Sequence, residues 1–475
     1  MFKTIIGLEI HVQLKTKSKM FCGCDNNAEK APPNSLVCPV CLGLPGVLPV
    51  ANRQAIEWTL KTGLALNAEI AKVSRFDRKH YFYPDLPKNY QISQYNMPFA
   101  RNGELEIRNS KFEIRKIKIT RIHLEEDAGK LIHTEDATLV DFNRAGTPLM
   151  EIVTEPEISS PQEAKIFLQE LRSILRYLGV SDAEMEKGHL RCDANISLMQ
   201  NEKVKNQNDN AKFKNLGTPV EIKNLNSFRM VERALSYEEK RQKEILERGE
   251  KVVKETRGWN DSRGETYTQR GKEFVQDYRY FPEPDIPPFE TSKFDLKKIK
   301  SEIPELPPAK RQRYMRDFGL SLPDAAILSS EAAMAAYFEK IAGSVNGKLA
   351  ANWTINELKM EGLLVVKPEY MIELLKKIAN SEISNNIAKE VLAKMITSGE
   401  SPEIIISKKG IKQITSAEEL TKIIDTVLTE NEKTISDYRN GKMEAFGFLV
   451  GQVMRKTQGQ ANPELVNQIL KERIK

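Results

Sequence analysis

The stretch HLRCDANISL, residues 189–198, alternates with a period of two. Leu190, Cys192, Ala194, Ile196 and Leu198 share one face, and His189, Arg191, Asp193, Asn195 and Ser197 share the other. Such a segment buries one face of a sheet and leaves the other to solvent or a ligand. TIIGLEIHVQL repeats the design, with Ile6, Leu8, Ile10, Val12 and Leu14 opposed to Glu9, His11 and Gln13. In KIKITRIHLEEDAGK the apolar phase shifts between Ile119 and Ile122, and a bulge there would place Arg121, His123, Glu125 and Asp127 on one face. In TPLMEIVTE, Glu151 shares its phase with Leu149 and Val153. A carboxylate in apolar company must be paired, metal-bound or shifted toward neutrality. Each segment alone reads as an amphipathic strand with one solvated face. Four of them carrying Glu, His and Asp, in a chain with five histidines, predict one chemically loaded sheet face.

At 475 residues the chain exceeds one ordinary core, so two or three domains are expected. Strand-like runs dominate to about residue 290, interrupted by helical segments near 53–66, 161–178 and 228–248. In the second helix Ser160 can cap, Pro161 suits the first turn, and Ile166, Phe167, Leu171, Ile174, Leu175 and Leu178 form a stripe. The polar segment NEKVKNQNDNAKFKN reads as a mobile surface loop. Proline clusters in FPEPDIPPF and EIPELPPAKRQR place a domain boundary near 293. Beyond it the period is helical, as in MIELLKKIA and IAKEVLAKMI, with a second break near GESPEIIISKKG. The expected domains are therefore 1–292, 293–405 and 406–475, an α+β body followed by two all-α parts. The last helix is expected to start with Asn462 as cap and Pro463 at its first position, burying Leu465, Val466, Ile469 and Leu470.

A net charge of +6, from 72 basic and 66 acidic residues, is compatible with a nucleic-acid partner without identifying one. No run has the length of a transmembrane helix, and MFKTIIGLEI enters a strand pattern without a signal-peptide layout, so the expected compartment is the cytoplasm. There, five cysteines suit thiols or metal ligands better than disulfides. Cys22, Cys24, Cys38 and Cys41 form two close pairs resembling a four-thiolate zinc knuckle; the first pair has one spacer residue where two to four are usual. Unligated reduced thiols are the alternative. Cys192 sits on an apolar strand face and reads as packing. No G-x-x-x-x-G-K-[ST] phrase occurs, and GLPG is too short for a dinucleotide fingerprint, so phosphate binding would rest on metal, Arg and Lys.

These residues sit in longer phrases: IGLEIHVQLKTKSKMFC, FDRKHYFYPDLPKNYQISQYNMP, HLEEDAGK, DFNRAGTPLMEIVTEP, LRCDANISL, EIKNLNSFR and DYRYFPEPDIPP. Together they resemble the GatB family, the B subunits of heterotrimeric aspartyl/glutamyl-tRNA(Asn/Gln) amidotransferases. GFLVGQVMRKTQGQANPELVNQIL is similar to the tail that this family shares with YqeY proteins.

The resemblance implies a glutamine synthetase-like antiparallel-sheet cradle, a helical domain and a YqeY-like tail. It implies an ATP-dependent carbon–nitrogen ligase with glutamine as amido donor. ATP phosphorylates the side-chain carboxylate of Glu or Asp mischarged on tRNA(Gln) or tRNA(Asn), and ammonia displaces phosphate. It further implies Mg²⁺ and a polar ammonia tunnel, and as partners a glutaminase (amidase) subunit together with a small third subunit in a GatCAB heterotrimer. By the same resemblance Glu9, His11, Glu125 and Glu151 are the candidates for one metal site and Asp193 lies near a second, with Glu126 or Asp127 replacing Glu125 if the strand phase differs. Lys79 in FDRKHYFYP matches a tunnel position with Glu125 at the exit; from composition alone Lys79 belongs to a basic, aromatic-rich surface loop. In the tail, Arg455, Lys456, Lys471, Arg473 and Lys475 are candidates for tRNA phosphates, or are simply solvated charges. Two other readings are a stand-alone ATP-dependent amide ligase and a non-catalytic tRNA-binding subunit.

Overall fold

The computed structural model describes residues 2–108, 113–200, 217–271, 277–358, 362–363, 365–380, 382–409, 417–439, 442–457, 461 and 463–474. It divides into two compact units, Met1–Pro307 and Pro308–Lys475.

The first unit is built on β1 (Phe2–Gln13), whose Ile6, Leu8, Ile10 and Val12 are buried while Glu9, His11 and Gln13 face the opposite side and stay partly accessible. In chain order there follow β2 (Glu69–Ile70), β3 (Val73–Ser74), β4 (Asp77–His80), β5 (Tyr90–Ser93), β6 (Ala100–Arg108), β7 (Ile114–Glu126), β8 (Lys130–His133) and β9 (Thr138–Asp141). Then come β10 (Pro148–Thr154), β11 (Leu190–Gln200), β12 (Val220–Lys223), β13 (Glu255–Asn260), β14 (Glu265–Gly271), β15 (Phe281–Pro282) and β16 (Phe289–Glu290). Nine of them make one sheet in the order β14-β13-β12-β11-β1-β10-β7-β6-β2. A three-stranded sheet, β15-β4-β5, rests on β7, where Gln91 Nε2 donates to Glu126 O at 2.7 Å.

The expected helices form as α1 (Arg53–Ala65), α2 (Pro161–Leu178) and α3 (Phe228–Glu247). Asn52, Ser160 and Ser227 cap them by accepting backbone N–H groups of the first turns, and Gly179 closes α2 in the left-handed conformation with φ 72°. Ile56 and Leu60 of α1, Phe167, Leu171 and Ile174 of α2, and Val231 and Leu235 of α3 join the apolar sheet face in one core. The helices thus seal one face and leave the polar face free.

The large sheet departs from the expected all-antiparallel form at one pair. β12 and β13 run parallel, with Glu221 opposite Thr256 and Lys223 opposite Gly258. The cause is α3, which lies between them in sequence and carries the chain back across the sheet, as a parallel connection requires.

Leu296, Ile299, Ile303 and Leu306 pack on the same core as α1. The second unit is helical. Tyr314, Phe338, Trp353, Leu374 and Val391 belong to one core, which takes in the helices Pro368–Ala379 and Asn385–Ser398 and a π-helical turn at Trp353–Leu358. Leu420, Ile424, Leu449, Val453, Val466 and Leu470 belong to another, completed by the helix Pro463–Ile474. Asn462, Lys475 and the polar segment 201–215 lie outside the described residues. No described helix is long and apolar enough to cross a membrane.

Candidate active site

Strand register converts the four sequence patterns into one site. His11 on β1 pairs with Glu151 on β10 and with Arg191 on β11; Glu9 pairs with Val153 and with Asp193; Glu151 pairs in turn with His123 on β7, and Leu149 with Glu125. The phase shift in β7 is a bulge: Arg121 lies opposite Val153 but Ile119 lies opposite Thr154, so Thr120 is the extra residue. Past it, Arg121, His123, Glu125 and Asp127 all line a cleft of about 1170 Å³ with Glu9, His11, Glu151 and Asp193.

His11 Nε2 lies 3.3 Å from Glu151 Oε2 and 3.7 Å from Glu125 Oε1. His123 Nε2 lies 3.4 Å from Glu151 Oε2 and 3.8 Å from Glu125 Oε2. Ser93 Oγ donates to Glu125 Oε2 at 2.9 Å. One ligand atom from each of His11, Glu125 and Glu151 falls within 4.8 Å of the others, a spacing suited to a single cation. Glu9 stands outside this group. Its Oε1 accepts from Asn195 Nδ2 at 3.2 Å, and across from it Lys223 Nζ donates to Asp193 Oδ2 at 2.5 Å and lies 3.2 Å from Glu221 Oε1. The polar face therefore carries two neighbouring acidic sites.

Charge on the two buried carboxylates is sustained from around them. Burial pushes Glu151 upward, but the His123 charge and the His11 hydrogen bond outweigh it and hold its carboxyl well below the usual range. Burial likewise opposes Glu125, and the His123 hydrogen bond with the Lys79 charge brings it down. Glu9, by contrast, is raised by burial and by the carboxylates of Glu151, Asp193 and Glu221. Burial also opposes the charge on Lys79, yet Glu125 and its neighbours hold its ammonium above the ordinary lysine value. Its Nζ sits 4.9 Å from the centre of the Tyr278 ring.

Glu126 points away from the cleft, to Lys88 Nζ at 2.6 Å and the Ile92 N–H at 3.0 Å, and fixes β5 against β7. Asp127 is bound by Arg191 Nη2 at 2.8 Å and Gln13 Nε2 at 2.9 Å. These partners leave Glu125 as the β7 carboxylate beside His11 and Glu151.

A second cluster lies along the loop after β1. The sulfurs of Cys22, Cys24, Cys38 and Cys41 are all within 4.8 Å of one another. Lys19, fully buried, donates to Cys41 Sγ at 3.7 Å and to Phe142 O at 3.3 Å, and no described carboxylate lies within ion-pairing distance of it. The hydrogen bond from Cys22, against burial and with help from the Cys38 N–H and Lys19, brings Cys41 down to about 4. Four convergent sulfurs with a buried cation behind them fit a metal ion of net anionic coordination.

Residues 4–297 match the family model of the GatB/GatE catalytic domain, and residues 336–474 match that of the GatB domain. The chain belongs to the GatB family. It is 48% identical over 487 residues to the B subunit of the aspartyl/glutamyl-tRNA(Asn/Gln) amidotransferase from Carboxydothermus hydrogenoformans, covering 100% of this chain and 99% of that protein. The protein of the same name from Thermotoga maritima is 48% identical over 99% of this chain and 98% of its own length. That of Thermomicrobium roseum is also 48% identical, over 100% and 99%. Every cleft residue named above falls within the GatB/GatE catalytic-domain match.

Several cleft residues of this GatB chain escape the single-strand patterns. Glu221 and Lys223 sit on a strand of four residues, too short for a period to show, and their place beside Asp193 depends on the pairing of β12 with β11. Among the tail residues, Lys456 Nζ lies 2.6 Å from Glu430 Oε1, Arg473 Nη2 lies 3.5 Å from Asp425 Oδ2, and Lys471 Nζ lies 6.0 Å from the Phe446 ring centre. Arg455 is exposed on the helix Glu444–Lys456.

Proposed function

We propose that this GatB chain is the kinase and transamidase subunit of a glutamine-dependent tRNA amidotransferase. In this reading it phosphorylates the side-chain carboxylate of Glu or Asp mischarged on tRNA(Gln) or tRNA(Asn), then aminates it. The observation that carries the reading is the convergence of His11, Glu125 and Glu151 beside the Glu9, Asp193 and Glu221 group in one cleft. A carboxylate resists nucleophiles because of its charge and its oxide leaving group. Transfer of the ATP γ-phosphoryl group to a carboxylate oxygen gives an acyl phosphate and ADP. Ammonia then bonds to the carbonyl carbon, the carbon–oxygen bond to phosphate breaks, and phosphate departs with that oxygen.

His11, Glu125 and Glu151 would hold one Mg²⁺ and the Glu9, Asp193 and Glu221 group a second. When bound, such ions neutralise phosphate charge as the phosphoryl group moves. Arg121 and Arg191 line the cleft with about a third of each side chain exposed, so anionic substrate oxygens meet guanidinium donors there. Lys79, at the position the family assigns to the tunnel, keeps Glu125 ionised where ammonia would enter. The knuckle would hold a structural zinc, since its four thiolates leave no position open for water.

Ammonia would come from a separate glutaminase polypeptide, with a small third subunit completing a heterotrimer. The cysteines here are either clustered as metal ligands or, as with Cys192, buried on an apolar face where burial pushes the thiol well up. The test is amide formation by the purified chain with ATP and mischarged tRNA. Ammonium should support it and glutamine should not. Amide formed from free glutamate without tRNA would favour a stand-alone ligase, and no ATP turnover at all would favour a scaffold.

A further inference from the structure

Tyr95 and Tyr280, 185 positions apart in sequence, stack on the wall of the cleft with ring centroids 4.5 Å apart and planes 13° from parallel. Tyr95 follows β5, and its backbone N–H donates to Asp77 Oδ2 at 3.1 Å, which fixes the start of the turn. Tyr280 is half-buried, but Tyr95 remains 50% exposed although one of its faces is covered. A large ring left open in a polar cleft carries an uncovered apolar face, the surface on which a flat heterocycle stacks.

The surrounding charge suits a nucleotide. Lys79 and Arg121 line the same cleft, and the exposed Arg279 stands between Tyr278 and Tyr280. Arg279 adopts a left-handed backbone, φ 44°, held by its N–H to Asp277 Oδ1 at 3.0 Å and by the contact of its carbonyl with His80 Nδ1 at 3.1 Å. Aromatic faces interleaved with cations are how single-stranded nucleic-acid ends are held.

Two adenine-bearing substrates would enter this cleft, and the layout separates them. The carboxylates of Glu9, Asp193 and Glu221 lie on β1, β11 and β12, where a metal-bound triphosphate belongs. The stacked tyrosines flank β4, β5 and β15 instead, on the side of Lys79, which lies on β4, and of Glu125, which accepts from Ser93 of β5. We propose that the open face of Tyr95, backed by Tyr280, seats the terminal purine base of the aminoacyl-tRNA and so delivers the esterified amino acid to the carboxylate–histidine group. The proposal rests on the amidotransferase reading above.

Steady-state amidation with ammonium as donor, using the complex purified with its co-purifying subunits, tests it. Tyr95→Ala should raise KM for mischarged tRNA by about fivefold or more. It should leave kcat within roughly twofold, a sign that the site remains assembled, and should not change KM for ATP. Tyr95→Phe, which keeps the flat face, should restore wild-type KM. An unchanged tRNA KM in Tyr95→Ala overturns the assignment while the functional reading stands, and so does an effect confined to ATP. A wild-type complex that forms no amide overturns the functional reading and this inference with it.

Discussion

Glu125 and Glu151 show how the surroundings decide what a buried carboxylate does. Each is nearly inaccessible, yet His11 and His123 stand between them and the Lys79 ammonium acts on both. Burial alone would favour the neutral acid; the imidazole hydrogen bonds and the Lys79 charge favour the carboxylate, which is the form that takes a divalent ion. Glu125→Ala or Glu151→Ala should therefore lower the rate of amide formation at least ~100-fold, because metal-bound charge stabilisation is worth several kcal/mol of barrier. The check is single-turnover amidation by each variant, with co-purification of the partner subunits confirming assembly. Near-normal turnover in both would remove these residues from the reaction. That His11 and Glu125 fall on the polar faces of their strands was legible in the alternation, whereas grouping them with Glu151 at one metal site came from the family resemblance. The resemblance grouped Glu9 with His11, Glu125 and Glu151; that it lies opposite Asp193 and outside their cluster was not legible, since it follows from the register of β1 on β11.

Among the elements, the bulge at Thr120 was foreshadowed by a break in apolar phase, whereas the parallel β12–β13 pair was not. A period reports which face a strand buries, and the direction of its partner is set by the crossover helix α3. The cysteine knuckle is joined to the catalytic sheet through the turn after β9: the Met20 N–H donates to Gly146 O at 2.7 Å, and the Gly146 N–H donates to Asp127 O at 2.9 Å. Lys19 occupies the same junction, between Cys41 and Phe142. Protein purified without chelator should contain close to one zinc per chain. Lys19→Met should release it to a chelator about tenfold faster, because the buried counter-charge and its N–H donor are gone while the stem volume is kept. Zinc below about a tenth of an equivalent in the native protein would leave the cluster as free thiols.

On the scale of the whole molecule, the sequence shows helical periodicity past residue 293, and the second unit holds two cores. Ile405 belongs to the core with Trp353 and Leu374, while the core around Leu420 and Val453 begins later. A truncation after residue 409 therefore removes the tail and spares the middle core. It should weaken binding of mischarged tRNA about tenfold or more and leave zinc content unchanged, as expected if the tail grips the tRNA body through phosphate contacts. Lys456 and Arg473 already face Glu430 and Asp425, so among the described candidates Arg455 and Lys471, both exposed, are the ones not facing a carboxylate. Binding as tight as that of the full chain at physiological salt would contradict this role. In this reading one cleft activates a carboxylate by phosphorylation. Mischarged tRNA whose glutamate carries ¹⁸O at both side-chain carboxylate oxygens follows the transferred oxygen directly. With ATP and ammonium, one ¹⁸O should pass to each inorganic phosphate released with the amide, and amide formed alongside unlabelled phosphate would rule out the acyl phosphate.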